Sequence, residues 1–285
     1  MSQASLVVLR EYLSLRPVGL RSAVRLAWCY LRTASERVLR PGSFRGVGKF
    51  LPGTTPIALK TGSLKVWARP HSEDLLYLLP AHKPAVWSWF HPSPGDTVID
   101  VGAHIGLFSL RAASAGARVL AVEPNPSTVG VLRANVESNG FTEVTIRSVA
   151  VGEGDGEGIL WVPPIYDGKS WLVTGWASGN ENLPAHPSPV EVRTIDHLVG
   201  AARFETIDWM LIDVEGFEFS ALRGALESLR VTRHLIVEVS RGPRREACRQ
   251  LLEDELGFKV VDEVRQSEYT DYWLALREGE HPGRS

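Results

Sequence analysis

Glycines and carboxylates stand together where two buried strands of the predicted fold end. Asp100 lies in the apolar, β-branched run Thr97–Val101, and Gly102 and Gly106 follow it. Glycine lets a ligand approach the backbone closely, and a helix start offers N–H groups. Glu123 ends the next strand, about 20 residues after the glycine turn. A carboxylate at that place suits the two hydroxyls of a ribose. The pattern predicts a nucleoside cofactor on a strand–turn–helix–strand unit; the alternative is the same unit without a ligand.

The spacing of the glycines distinguishes between two such cofactors. It is G-x-x-x-G, whereas dinucleotide-binding turns carry G-x-G-x-x-G. Asp100 would repel a pyrophosphate but suits a cationic amino group. Both features favour S-adenosylmethionine over NAD, as does the absence of a Tyr-x-x-x-Lys pair.

A second group of carboxylates follows two later strands. Asp213 and Glu215 come after the strand that begins at Trp209, and Glu238 ends the strand from His234 to Val239. Neighbouring parallel strands would bring all three to one cleft, where burial is costly unless the acids bind a cation, share protons or act chemically.

Several uses of these acids remain open. One can act as general base for an attacking hydroxyl, or together they can hold Mg²⁺. Asp213 can instead hold the amino group of the cofactor. In a purely structural role, Glu215 would cap the next helix and Glu238 would pair with an arginine such as Arg241. Metal-free chemistry is favoured, because no further aspartate or histidine completes a cage.

Three phrases of the sequence, DVGAHIG, AVEPNP and LIDVEGFEFSALRGA, resemble the FkbM family of S-adenosylmethionine-dependent methyltransferases. The resemblance runs from Ile57 to Leu276. It implies an O-methyltransferase that acts on a hydroxyl of a small molecule, sugar, glycan or natural product. His104 departs from the family, which more often carries asparagine there. Other expectations are an inactive nucleotide-binding or docking module and a methyltransferase acting on nucleic acid; the acidic catalytic domain and the lack of an Asn/Asp-Pro-Pro-Tyr motif argue against the latter.

Motif position and resemblance together give a set of expected site residues. The resemblance implies roles for Arg69 and Asp74; alternatively they belong to a turn in which Ser72 caps a helix Glu73–Leu79. The end of the strand Val144–Val151 should lie beside the adenine. The predicted cofactor-binding residues are Arg69, Asp74, Asp100, Gly102, Ala103, His104, Glu123, Asn125, Ser148, Val149, Ala150 and Asp213, and the predicted catalytic residues are Asp213, Glu215 and Glu238.

Residues 159–193 do not fit a minimal methyltransferase. Trp161, Tyr166, Trp171 and Trp176 crowd among prolines and glycines. Such aromatic side chains can form a substrate lid that holds sugars, or can pack on the edge of the sheet.

The first fifty residues carry nine basic and two acidic side chains, a net charge of +7 that leaves −9 for the rest. Helices are predicted over residues 4–15 and 18–39, the second with Leu20, Val24, Ala27 and Leu31 on one face and Arg21, Arg25 and Arg32 beside it. We expect that face to pack on the catalytic domain; the alternative is a basic amphipathic helix at an anionic membrane or substrate.

The expected architecture is an α/β fold of class I methyltransferase type, with a Rossmann-like, seven-stranded, mostly parallel sheet and an antiparallel edge strand. The expected divisions are a helical arm at 1–53, a hairpin and helix at 54–95, and the S-adenosylmethionine-binding domain at 96–285. Two distant cysteines and the lack of a leader or a long apolar run favour a cytoplasmic protein, with a membrane-peripheral location as the alternative. The expected partner is a hydroxyl acceptor rather than nucleic acid, and the oligomeric state stays open.

Overall fold

The structure is a computed structural model that describes residues 14–39, 47–162, 171–173 and 186–280. Of residues 37–39, 47, 81 and 171–173 it describes the backbone alone. The strands are β1 Arg16–Pro17, β2 Ile57–Thr61, β3 Leu64–Ala68, β4 Thr97–Val101, β5 Arg118–Val122, β6 Val144–Arg147, β7 Ala150–Val151, β8 Gly156–Val162, β9 Trp171–Val173, β10 His186–Arg193, β11 Ile207–Ile212, β12 Thr232–Ser240, β13 Phe258–Arg265 and β14 Thr270–Arg277. The helices are α1 Gly19–Leu39, α2 Asp74–Tyr77, α3 Pro84–Trp89, α4 Leu107–Ser114, α5 Pro126–Ser138, α6 Ile195–Ala202, α7 Glu218–Arg223, α8 Leu226–Arg230 and α9 Arg245–Gln250.

The main sheet has the strand order β13-β14-β12-β11-β4-β5-β6 in the described chain. The five strands from β12 to β6 are parallel, and β14 runs antiparallel between β12 and β13. All five residues of β4 are buried, as expected of a central parallel strand covered on both faces. This order confirms the predicted class I methyltransferase fold; the antiparallel strand lies one place in from the edge.

Helices cover both faces of this sheet. On one face α4 and α5 pack with the β2–β3 hairpin, and Phe90 is fully buried against Trp209 at a ring separation of 5.4 Å. On the other face α6 to α9 form a second core around Leu222 and Trp273. The predicted single helix Phe217–Leu229 is two helices, because the chain bends at Gly224, where a Cβ would lie 2.0 Å from the carbonyl oxygen of Gly152.

The amino-terminal helix packs through a different face from the one predicted. The buried side chains of α1 are Ser22, Leu26, Cys29 and Thr33. Leu20, Val24 and Leu31, which the pattern predicted to face the domain, are exposed together with Ala27. The buried small and polar side chains fit closely against β2, where Ser22 Oγ accepts the N–H of Ala58, and this contact outweighs the apolar pattern. The predicted helix over residues 4–15 lies almost entirely outside the described residues.

The region predicted as an insertion forms a second sheet of order β7-β10-β8-β9 in the described residues. β8 and β10 pair antiparallel over Gly156 to Val162, so pairing begins three residues before the predicted start at 159. The predicted third strand Val144–Val151 is wrong in extent, because the chain leaves the main sheet after Arg147 and joins β10 through Ala150 and Val151.

The domain boundaries stay predictions. Strand β1 lies before the predicted boundary at residue 53 and pairs with β2, which lies after it. None of the helices in the described residues is both long and apolar enough to cross a membrane.

Candidate active site

A cleft of about 1170 Å³ opens at the carboxyl ends of the parallel strands. Its lining comes from the turn after β4, the end of β5, the loop after β11 and the strand β14. The predicted residues that line it are Asp100, Gly102, Ala103, His104, Glu123, Val149, Ala150, Asp213 and Glu215. The topology therefore brings together most of the residues that the sequence singled out.

The turn after β4 is held by its own backbone. The N–H groups of Gly102 and Ala103 both donate to the carbonyl of Val122, and that of His104 donates to Glu123 Oε2 at 2.9 Å. Gly102 has a φ of +82°, and a Cβ there would lie 1.9 Å from the carbonyl oxygen of Asp213. The glycine is thus required by the close approach of the loop after β11. The three N–H groups of this turn are therefore used within the protein.

Glu123 is buried at the end of β5 and orders both flanking segments. Its Oε1 accepts the N–H of Asn125 at 2.9 Å, while Oε2 accepts that of His104. Asn125 caps α5 by accepting the Ser127 N–H, and its own Nδ2 is buried without a hydrogen-bond partner in the described structure. A buried donor of this kind usually has a ligand or a water as its partner.

Asp100 is buried and faces the start of α4 as well as the cleft. Its Oδ2 accepts the N–H of Ser109 at 3.0 Å and the Ser109 hydroxyl at 2.5 Å. Burial raises the pKa of Asp100 to about 6, and the two hydrogen bonds from Ser109 oppose that rise. Its prediction as the partner of a cationic amino group stays a prediction.

Arg69 and Asp74 lie behind His104 and do not line the cleft. Arg69 forms a bidentate pair with the fully buried Asp74, with Nη2 to Oδ1 at 2.7 Å and Nε to Oδ2 at 2.9 Å. Burial alone would raise the pKa of Asp74, but the bonds and charge of Arg69 lower it. Ser72 accepts the N–H of Asp74, and α2 is shorter than the predicted helix Glu73–Leu79.

His104 is a neutral side chain in this network. Arg69 Nη2 lies 3.0 Å from His104 Nε2, and because arginine can only donate, Nε2 accepts. Burial lowers the pKa of His104 to about 4. Its ring packs at 4.6 Å from that of Tyr77, and its φ of 51° lies in the left-handed region.

The three acids near the ends of β11 and β12 lie together: Asp213 and Glu215 line the cleft, and Glu238 is buried beside them. Carboxylate oxygens of Asp213, Glu215 and Glu238 lie within 4.8 Å of one another. In the turn before the next helix, the N–H of Gly216 donates to Glu218 Oε1 at 2.7 Å. Arg241 pairs with Asp271, and Glu238 forms a side-chain hydrogen bond with Asp213. Arg241 therefore has another carboxylate as its partner, and the roles of Glu215 and Glu238 stay predictions.

A lysine that the sequence did not reveal completes this group. Lys83 Nζ contacts Asp213 Oδ2, and the Tyr272 hydroxyl donates to the same oxygen at 2.8 Å. The ammonium also lies 5.3 Å from the ring centre of Tyr77 and 5.1 Å from that of Tyr272. We call Lys83, Asp213, Glu238 and Tyr272 the acid–lysine cluster.

The protonation of the cluster follows from burial and mutual charge. Burial and the negative charge of Asp213 raise the pKa of Glu238 well above its usual value. Burial would also raise the pKa of Asp213, but the charge of Lys83 and hydrogen bonds from Glu238, Lys83 and Tyr272 lower it. Burial alone would lower the pKa of Lys83, and the two acids raise it. These shifts favour the protonated form of Glu238 beside the ionised form of Asp213 and the charged form of Lys83.

The comparison with known families decides the class. The model of the family "Methyltransferase FkbM domain" matches residues 100–272, which is more than half of the chain. The chain belongs to the FkbM methyltransferase family. This membership confirms the resemblance seen in the sequence.

Curated relatives of this FkbM protein are distant. The 23S rRNA (uracil(1939)-C(5))-methyltransferase RlmD of Shewanella is 39% identical over 57 residues, 20% of this chain and 13% of that protein. The hexuronic acid methyltransferase AglP of Haloferax volcanii is 27% identical over 61% of this chain and 69% of that protein. The 2-O-methyltransferase NoeI of Sinorhizobium fredii is 26% identical over 52% of this chain and 64% of that protein. Among solved structures, Trm5b from Pyrococcus abyssi aligns with a TM-score of 0.45 and 13% identity, over 79% of this chain and 56% of that one.

The remaining predicted residues lie at the margin of the cleft or outside the description. Ser148 is exposed and does not line the cleft. Trp161 is half-buried on β8, next to Leu160, which lines the cleft. The side chain of Trp171, and Tyr166 and Trp176 entirely, lie outside the described residues. Sequence reasoning missed Lys83, Tyr77 and Tyr272. Of these, only Tyr272 could have been found, because the predicted topology places its strand next to the strand of Glu238.

Proposed function

We propose that this methyltransferase transfers the methyl group of S-adenosylmethionine to a hydroxyl oxygen of a sugar, a glycan or another small molecule. The observation that carries the proposal is the acid–lysine cluster: Lys83, Asp213 and Tyr272 line the cleft, and Asp213, whose pKa is lowered, adjoins the buried Glu238, whose pKa is raised. The relatives AglP and NoeI, by name a hexuronic acid methyltransferase and a 2-O-methyltransferase, support the choice of oxygen and of a sugar.

The side of the cleft formed by β4 and β5 fits the cofactor. Glu123 lines the cleft at the position where a carboxylate can accept the two ribose hydroxyls. The orphaned Nδ2 of Asn125 lies two residues further on, and Val149 and Ala150 offer an apolar wall for the adenine. We assign these four residues to cofactor binding together with Asp100, Gly102, Ala103 and His104. The bound cofactor supplies a methyl group on a sulfonium centre, a good leaving group.

The acid–lysine cluster contains the group that takes up the proton of the acceptor hydroxyl. The acceptor hydroxyl must lose its proton as its oxygen gains the methyl group, and we assign that proton to Asp213. The lowered pKa of Asp213 makes it a weak base, but a methylated hydroxyl oxygen that still holds its proton is a strong acid, so a weak base suffices. Lys83 favours the ionised form of Asp213, and Glu238, whose pKa is raised, donates a hydrogen bond to Asp213. Glu215 shares the cleft and can hold the acceptor.

Most of the rate should come from alignment rather than from the base. Holding oxygen, methyl and sulfur in line can contribute about 7–11 kcal/mol. The β8–β10 sheet, whose Leu160 lines the cleft, is the element we assign to acceptor positioning. The predicted lid residues Trp161, Tyr166, Trp171 and Trp176 belong to this proposal.

The first experiment is calorimetric titration with S-adenosylmethionine and, separately, with NAD. Micromolar binding of S-adenosylmethionine alone is expected. Binding of neither would indicate an inactive module, and binding of NAD would contradict the assignment of the turn.

The second experiment offers [methyl-³H]S-adenosylmethionine with neutral sugars, hexuronic acids, glycans and total RNA. Base-stable label on a sugar hydroxyl supports the proposal, whereas label on RNA alone would contradict it. The same assay with EDTA, and then with added Mg²⁺, tests metal-free chemistry: activity that EDTA abolishes and Mg²⁺ restores would assign the three acids to a metal.

A further inference from the structure

One face of α1 carries a stripe of large apolar side chains in contact with solvent. The stripe consists of Leu20, Val24, Trp28 and Leu31, which are 81%, 61%, 53% and 68% exposed. Their spacing of four, four and three residues keeps them on one side of the helix. They are four of the eight large apolar side chains that are exposed in the described residues, so exposed apolar surface is concentrated here.

The orientation of α1 is fixed, so the stripe is a built surface. The opposite side of the helix is buried through Leu26, Cys29 and Thr33. Arg25 turns back to the domain, where its Nε donates to the Pro52 carbonyl at 2.7 Å and its Nη2 to the Thr55 carbonyl at 2.6 Å. Rotating the stripe inward would break these contacts.

The charge around the stripe has one sign. Arg21 and Arg32 are exposed on the helix beside it, Arg16 is exposed on the strand before the helix, and Glu36 is the one acidic residue between positions 14 and 39. Arginines next to an apolar helix face complement the anionic headgroups of a bilayer, and tryptophan prefers the same depth. The stripe is about 17 Å long, which suits a helix lying in the membrane plane rather than crossing it.

We propose that this face of α1 docks the protein on the surface of an anionic lipid bilayer, with the stripe inserted among the headgroups and the arginines on the lipid phosphates. A second copy of the chain is the other occupant to consider. A twofold dimer through the stripe would bring the same arginines of both copies together without acidic partners, and this repulsion argues against it.

The experiment measures co-sedimentation of the full chain with vesicles of phosphatidylcholine alone and with vesicles containing 30% phosphatidylglycerol. The variants are Trp28→Ser/Leu31→Ser for the stripe and Arg21→Gln/Arg32→Gln for its flank. The matched control is Val261→Ser/Tyr269→Ser, which removes two exposed apolar side chains from the β13–β14 region. Thermal unfolding and methyl transfer to a soluble acceptor verify that each variant is folded.

Binding to the anionic vesicles alone is expected, and it should weaken as salt is added. The stripe variant should bind at least tenfold more weakly, and the flank variant about 25-fold more weakly, since each arginine near a charged surface contributes about fivefold. The control should bind as the unaltered protein does. Equal binding to neutral vesicles, no binding to either, or a dimer in light scattering that Trp28→Ser/Leu31→Ser dissociates would each overturn the proposal.

Discussion

Two carboxylates in the same cleft are held in opposite ways. Glu123 accepts hydrogen bonds from the backbone of His104 and Asn125, both within 19 residues in the chain. Asp213 is held by the side chains of Lys83 and Tyr272, which are 130 and 59 residues away. The first carboxylate belongs to a local turn, whereas the second depends on distant side chains that the fold brings together. The β4–β5 side should therefore tolerate changes of side chain that the acid–lysine cluster does not.

The largest effect is expected from Asp213→Asn. The amide keeps the shape but cannot take the acceptor proton, so kcat should fall about 100- to 10,000-fold. S-adenosylmethionine affinity, measured by calorimetry, should change less than threefold, which separates the base from the alternative role of holding the amino group of the cofactor. Asp254→Asn, at an exposed acid, is the matched control. A large loss of affinity with unchanged kcat would assign Asp213 to the cofactor instead.

The second effect is on stability and comes from Lys83→Met. Asp213 would remain half-buried without its cation, and the cost of breaking a fully buried pair, about 3–5 kcal/mol in the free energy of unfolding, is the upper limit of the expected loss at pH 7. The stability that a lowered folded pKa of Asp213 confers is present above its unfolded value, about 3.9, and is lost as pH falls through the folded value. The deficit should therefore be large at pH 7 and shrink below about pH 4. Denaturant unfolding at several pH values measures it.

Two further variants test that explanation. Lys60→Met, at an exposed lysine, should leave stability unchanged within about 0.5 kcal/mol. The double variant Lys83→Met/Asp213→Asn should recover most of the loss, because no uncompensated charge remains. In active Lys83→Met protein, the acidic limb of the pH–rate profile should move to higher pH, since the pKa of Asp213 rises without the ammonium. A double variant as unstable as Lys83→Met alone would show that Lys83 acts by packing.

Local contacts such as those of Glu123 can be predicted from the sequence, whereas distant contacts such as those of Asp213 cannot. The bounds of β4 and β5 agree with the sequence prediction because buried β-branched runs and glycine turns are local signals. Lys83 lies in a short segment before Pro84 whose sequence resembles any exposed turn, so nothing local marks it as a partner of Asp213. The face of α1 was predicted wrongly because apolar spacing reports which side chains share a face, not whether that face is covered.

The next smaller effect belongs to Glu123→Ala. Charge-assisted hydrogen bonds contribute about 1.5–3 kcal/mol, so affinity for S-adenosylmethionine should fall about 10- to 150-fold in calorimetry. Loss of the two backbone bonds also loosens the turn, and Glu123→Gln, whose single side-chain oxygen can keep one of the two, should lose less. Glu137→Ala, at an exposed glutamate on α5, should bind as the unaltered protein does. Unchanged affinity of Glu123→Ala would remove the ribose assignment.

The smallest effect is expected from His104→Asn, although His104 lines the cleft. Its pKa is lowered to about 4 by burial, so the substitution removes no charge above pH 5. Asparagine adopts the left-handed region more readily than most residues, and the N–H to Glu123 stays in place. The free energy of unfolding should therefore change by less than about 1 kcal/mol, with cofactor affinity within threefold. His104→Val keeps the same backbone bond but strains the left-handed φ, so it should lose about 1–2 kcal/mol more. If His104→Asn instead abolished turnover while folding and cofactor binding were retained, the imidazole ring would be catalytic. Activity would then depend on the side chains of the β4–β5 side of the cleft as strictly as on those of the acid–lysine cluster.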